Sequence, residues 1–313
     1  MIKEELYFDS RDNESKIHAI KWIPQEKPVC ILQIVHGMAE YVDRYHAFAE
    51  FLAQQNILVV GEDHLGHGKS IGNYPKGYFC RRDPATVVVR DIHRLKKMIQ
   101  EEYPGIPYFI FGHSMGSLIT RNYISRSGTG IDGVIISATA MTPKSLLKVS
   151  GVLIKVLNFL QGPKHTSKFL DKMAFGNYCQ KIENPVSEFD WLSKDSSQVE
   201  KYNEDPLCGF ILTINGFKTL RELNMRLYDQ ENLNKIPKNL PVLFLYGSDD
   251  PVGDYGKAVK EVYDSYVQIG IENVMIKCYE NDRHEILNET DKEMVMRDIY
   301  QWLEDECQAG GRL

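Results

Sequence analysis

Three kinds of residue in this chain have the chemistry to make and break an acyl bond. Ser114 lies in the pattern Gly112, His113, Ser114, Met115, Gly116, a G-x-S-x-G. A serine hydroxyl is a weak nucleophile until a base takes its proton, and that base needs an acid to orient it. The chain offers both downstream: adjacent acids Asp249 and Asp250 in one turn, and then His284. The other histidines fit the role of base less well. His113 is inside the serine turn and cannot serve its neighbour. His64 and His67 lie in a glycine-punctuated turn and read as loop stabilisers. Their H-x-x-H spacing suggests a metal, but no third ligand accompanies it, so no metal is expected.

The elements that must position these groups follow from the flanking pattern. Residues 107–111 begin with a proline and continue apolar or aromatic, and read as a buried strand. From Met115 the pattern turns helical, with Leu118, Ile119 and Tyr123 at helix spacing. A sharp strand-to-helix turn crowds the residues beside the serine, and glycine is what tolerates the crowding. Such a turn presents the Ser114 hydroxyl at the top of the sheet. It also aims the Met115 backbone N–H, at a helix N-terminus, to where an oxyanion would form. A second donor is expected from the loop after the apolar run 29–35, where His36, Gly37 and Met38 follow; the Met38 N–H would pair with that of Met115.

The rest of the chain alternates in the same way. Residues 3–9 and 16–23 predict an edge hairpin around a polar turn. Residues 57–60 predict a strand that ends in the turn 63–70 (DHLGHGKS). Helices are expected over 45–54, and over 84–103 with proline in the first turn. Residues 131–138 predict the next strand. Strands at 242–246 and 274–279 and helices at 255–269 and 292–307 close the chain. This alternation predicts a mainly parallel sheet with helices on both faces and ligands at the carboxyl ends of its strands. The rhythm breaks between 141 and 235, where no clear strand appears. That stretch is expected to be a helical insertion over the sheet, because it is too long for a plain loop.

Composition narrows the class. The 313 residues carry a net charge of −6 and no long basic run, which argues against nucleic-acid binding. The six cysteines form no C-x-x-C pair, and Cys30, Cys80 and Cys278 fall in or beside apolar stretches. Reduced thiols and a cytoplasmic location are expected. No signal core and no membrane-length run appears.

Six motifs together resemble the monoacylglycerol lipase and lysophospholipase branch of the α/β-hydrolase superfamily, also catalogued with serine aminopeptidases. They are residues 35–41 (VHGMAEY) with Arg44 and Tyr45, 63–70, 112–116, 202–207 (YNEDPL), 247–250 (GSDD) and 283–285 (RHE). Residues 189–193 (FDWLS) look like bacterial members. The resemblance implies the acid to be the fourth residue of the G-S-x-D turn, Asp250, although Asp249 stands where members often carry a small residue. It implies a triad of Ser114, His284 and Asp250, an α/β-hydrolase fold and no cofactor.

The expected layout is a core of residues 1–140 and 236–313 with a helical cap over 141–235. The expected reaction is hydrolysis of a carboxylic ester, a small molecule or lipid such as monoacylglycerol or lysophospholipid, through an acyl-enzyme. Gly37, His113, Leu153 and Leu157 are expected to contact substrate. In the cap, Val149, Val152, Leu153, Val156, Leu157 and Leu160 form one apolar stripe. Two readings of it stay open: lining an acyl tunnel or touching a membrane surface transiently, or packing on the core. The rival functions are an aminopeptidase or amidase with the same triad, with Glu183, Glu188 and Asp190 as candidates for holding a free amine, and a non-catalytic binding member of the fold.

Overall fold

A computed structural model describes residues 1–310. Its frame is one eight-stranded sheet in the order β1-β2-β4-β3-β5-β6-β7-β8. The strands are β1 (Ile2–Asp9), β2 (Lys16–Ile23), β3 (Cys30–Val35), β4 (Ile57–Glu62), β5 (Tyr108–His113), β6 (Gly133–Ser137), β7 (Val242–Gly247) and β8 (Val274–Tyr279). β1 and β2 form the expected hairpin, and β2 joins β4 antiparallel. From β4 to β8 every pairing is parallel.

Strand side chains alternate between two cores, as a pleated sheet buried on both faces requires. On one face Ile31, Val35, Ile110, Val134 and Phe244 meet α2 (Pro84–Glu102), α3 (Met115–Ser127) and α9 (Lys257–Gln268). On the other, Leu32, Ile34, Phe109, Phe111 and Leu245 meet α1 (His46–Gln54) and α10 (Lys292–Ala309). The helix expected from 255 begins instead at Lys257. Asp254, Tyr255 and Gly256 all have positive φ (49°, 54° and 86°), and a left-handed run cannot continue into a right-handed helix.

Between β6 and β7 the chain forms α4 (Lys144–Gln161), α5 (Lys168–Phe175), α6 (Ser196–Glu204), α7 (Ile214–Arg226) and α8 (Gln230–Asn234). The sole strand-like contact there among the described residues is the isolated bridge Thr166–Thr213. The face that α4 buries is not the apolar stripe read from the sequence. Leu147, Gly151 and Ile154 are buried, whereas Val149, Val152, Val156 and Leu160 are exposed. The helix is apolar on more than one side, so periodicity alone does not choose the buried face. Arg221 of α7 chooses it: its Nε donates to the Leu147 carbonyl at 2.6 Å, and a Cβ on Gly151 would lie 2.5 Å from that nitrogen.

None of the six cysteines is joined in a disulfide. No helix among the described residues is long and apolar enough to cross a membrane.

Candidate active site

Register gathers the reactive groups. Val35 of β3 pairs with Gly112 of β5, His113 pairs with Ser137 of β6, and Gly247 of β7 pairs with Tyr279 of β8. The strand ends are therefore level, and the residues just beyond them share one edge of the sheet. Ser114, Asp250 and His284 all lie there.

The turn after β5 is sharp. Ser114 has φ 52° and ψ −119°, a sparsely populated conformation held by its surroundings. A Cβ on Gly116 would lie 1.9 Å from the Val35 carbonyl oxygen, and one on Gly112 would lie 2.7 Å from the Gly116 oxygen. Both glycines are thus required by backbone-to-backbone approach. Met115 is the first residue of α3, so its N–H has no partner within the helix.

His284 and Asp250 are fully enclosed. His284 Nδ1 lies 3.0 Å from both carboxylate oxygens of Asp250, and Asp250 is 0% exposed. Asp249 is exposed instead, and its carboxylate accepts from the Ser248 hydroxyl. Burial disfavours the charged imidazole of His284, but Asp250, with Glu285 and Glu40 behind it, outweighs burial and holds its pKa above the ordinary value. Because Nδ1 faces a carboxylate, it carries the proton, and Nε2 is left as the basic nitrogen.

His284 and Ser114 line one cavity of about 570 Å³, together with Gly37, Met38 and His113. That volume is within the range of small-molecule sites. His113 is buried with its ring 4.8 Å from that of His284, and burial and this neighbour push its pKa down to about 3. Aromatic walls come from Phe175, Tyr178, Phe189, Trp191 and Phe210. Leu153 and Leu157 are not on this wall. They pack instead on the cluster of Ile154, Leu170, Leu212, Ile214 and Phe217. Of the three acids considered for an amine, only Glu188 lines the cavity, next to Asp171, whose carboxyl is pushed up by burial and by Glu188. A second cleft of about 530 Å³ opens at the opposite edge, beside Pro107, Ile131 and Pro241 ahead of β5, β6 and β7. It contains none of the triad candidates.

Sequence reasoning passed over the groups that hold the site together. Arg44 donates to both oxygens of Glu285 at 2.7 Å and to Glu40 at 2.8 Å, all nearly buried. Glu40 in turn accepts from the Tyr45 hydroxyl at 2.9 Å and from the Gly37 N–H at 2.5 Å. The Arg44 guanidinium also stacks 4.8 Å from the Tyr202 ring, whose hydroxyl donates to the Ala39 carbonyl. Trp191 and Leu192 hold the His284 loop: their carbonyls accept the N–H groups of His284 and Glu285. Glu40, Arg44, Tyr45 and Glu285 all stood inside the motifs quoted above, and that was the only signal for them.

Residues 26–291 match the family model described as "Serine aminopeptidase, S33". The chain is 27% identical to mouse monoglyceride lipase over 93% of its own length and 87% of that protein's. It is likewise 27% identical to the monoacylglycerol lipase of Mycolicibacterium smegmatis, with 90% of each chain covered. Among solved structures, a thermostable carboxyl esterase from Bacillus coagulans, in complex with glycerol, superposes with TM-score 0.89 at 32% identity, covering 98% of this chain and 99% of that one. A monoglyceride lipase variant from Saccharomyces cerevisiae shares the fold at TM-score 0.76 and 21% identity, covering 98% of this chain and 96% of that one. The chain therefore belongs to the serine aminopeptidase S33 family of α/β-hydrolases and is a serine hydrolase of carboxylic esters.

Proposed function

We propose that Ser114, His284 and Asp250 form the catalytic triad of a lipase-like esterase acting on monoacylglycerols or similar amphiphilic esters. The observation that carries the reading is that His284, buried against Asp250, lines one cavity with Ser114. Ser114 Oγ attacks the ester carbonyl while His284 Nε2 takes its proton. The Met38 and Met115 N–H groups stabilise the oxyanion. The intermediate collapses, His284 protonates the leaving alcohol, and the acyl group stays on Ser114. Water, deprotonated by His284, then releases the acid and restores the hydroxyl.

Residues 141–235 act as a cap in this reading. The names of the relatives and the aromatic walls support an acyl chain as the occupant. Transient contact with a lipid surface is supported by the outer face of α4 and α5. Val149, Val152, Phe159, Leu160 and Phe169 are all more than 60% exposed there. Lys144, Lys148, Lys155, Lys168 and Lys172 belong to the same two helices, with Asp171 as the sole acid.

The test is turnover of p-nitrophenyl esters of graded chain length, 1-monoacylglycerols and aminoacyl-p-nitroanilides by the wild type and Ser114→Ala. Ester and monoacylglycerol turnover abolished by the substitution is expected. Cleavage of anilides alone would move the chain to the peptidase reading. Ester turnover that survives Ser114→Ala would remove the nucleophile assignment.

A further inference from the structure

The turn 63–70 and its histidines have so far no part in the chemistry. The geometry points to His36, backed by this turn, as the residue that sets the direction of the Met38 N–H by holding the Gly37–Met38 peptide plane. The inference rests on the reading that this N–H stabilises the oxyanion.

His36 follows the last residue of β3, is 0% exposed and does not line the cavity. Its two ring nitrogens have different partners. The backbone N–H of His64 points at Nε2 at 3.0 Å, and Nδ1 lies 2.7 Å from the Gly37 carbonyl oxygen. A backbone N–H can only donate, so Nε2 is the acceptor and the ring proton is on Nδ1. Nδ1–H therefore donates to Gly37 O. Burial and the neighbouring His67 keep the ring's pKa well below the ordinary value, so it stays in this neutral form.

The Gly37 C=O and the Met38 N–H are the two ends of one planar trans peptide and point in opposite directions. Holding the oxygen on one side aims the hydrogen on the other. The preceding His36–Gly37 peptide is fixed separately, because the Gly37 N–H donates to Glu40. It is close to the nucleophile: a Cβ on Gly37 would lie 3.2 Å from the Ser114 Cβ. Without the bond from His36 this plane is free to rotate, and a donor that rotates away from the oxyanion is lost in the transition state while the ground state hardly notices.

The turn behind His36 is rigid enough to act as its support. The His64 ring lies against the His36 ring with centroids 4.0 Å apart and planes tilted by 30°, and His64 Nε2 lies 3.2 Å from the His36 carbonyl. Asp63 anchors the turn by accepting from the N–H groups of Val42 and Lys69 and by pairing with His18. The H-x-x-H spacing thus serves a polar stack under the oxyanion loop.

Two conservative substitutions separate the two bonds of the ring. In His36→Asn the amide nitrogen reaches the Nδ1 position and keeps the bond to Gly37 O, while the His64 N–H loses its acceptor. In His36→Gln the amide oxygen reaches the Nε2 position and keeps the His64 bond, while Gly37 O loses its donor. Ester kinetics, Tm and inhibition by an alkylboronic acid, which forms a tetrahedral oxyanion adduct on the nucleophile, are to be measured on both, with Met38→Pro as the variant lacking the N–H. Removing an oxyanion donor costs roughly 10²–10³ in kcat. His36→Gln is expected to approach that loss with KM within about threefold and boronate inhibition weakened in parallel, and His36→Asn to stay within about fivefold of wild type. Equal kcat losses in both, scaling with Tm, would reduce His36 to a structural residue. Wild-type kcat in His36→Gln alongside a strong loss in folded Met38→Pro would overturn the proposal and leave the oxyanion reading standing. Wild-type kcat in Met38→Pro would remove the oxyanion reading itself.

Discussion

Arg44 and Glu285 meet in a two-pronged ion pair, both bonds 2.7 Å, across 241 residues of sequence. The pair ties the loop after β3 to the loop bearing His284, since Arg44 also holds Glu40 and Glu285 is the next residue after His284. Two carboxylates around one guanidinium leave a net negative charge near the imidazole. Arg44 holds the Glu285 carboxyl below the usual range against the burial that raises it, while burial leaves Glu40 raised. Removing one partner of a buried pair strands the other charge, at a cost of about 3–5 kcal/mol. Arg44→Met is therefore expected to lower the unfolding free energy by about that much in urea titration. A loss under about 1 kcal/mol would mean that the pair contributes no more than an exposed one.

Asp249 and Asp250 are adjacent in sequence and opposite in burial. Asp250→Asn would put an amide NH2 against either the Val252 N–H or the His284 Nδ1–H, both of which need an acceptor. The imidazole is then driven to the wrong tautomer, and a fall in kcat on the order of 10⁴ is expected. Asp249→Asn should stay within about twofold, the level of an exposed side chain with no catalytic contact. Ester kinetics on the two variants decide between them, and a reversed order would exchange the assignments.

The pH dependence follows from His284. In the proposed triad it works only when neutral, so kcat/KM should rise with pH through a midpoint above the ordinary imidazole value of 6.5. Its contribution to stability runs the other way. A raised pKa in the folded state favours the protonated form, so this contribution is full below the unfolded value and is lost as pH rises through the folded one. A pH–rate profile with an acid limb centred below 6.5 would contradict the dominance of Asp250 and Glu285 over burial.

The exposed face of α4 gives a prediction free of catalysis. Phe159 is 88% exposed and Val152 66%, so Val152→Asp with Phe159→Asp should leave Tm and turnover of a soluble short-chain ester unchanged. Sedimentation with anionic phosphatidylglycerol vesicles should fall several-fold. Vesicle binding equal to wild type would remove this face as the contact.

Local sequence determined the parts of this protein that depend on short-range sterics and on strand order. The turn at Ser114 is legible because a buried strand, two glycines and a helix follow one another within a few residues, and Gly116 has no room for a Cβ against Val35. The edge on which His284 and the acidic turn lie follows from strand alternation, because a parallel sheet brings all its carboxyl ends to one side. Other features depended on the tertiary structure. Both acids of residues 249–250 fit the turn, and only the fold shows that Asp250 is the one buried against His284. The hydrophobic period of α4 left its inner face open, and the packing of Leu147, Gly151 and Ile154 against α7 settled it, which left Leu153 and Leu157 off the cavity wall. The network of Glu40, Arg44 and Glu285 joins opposite ends of the chain. No local pattern marks it, because each residue alone is an ordinary charge and only folding removes all three from water together.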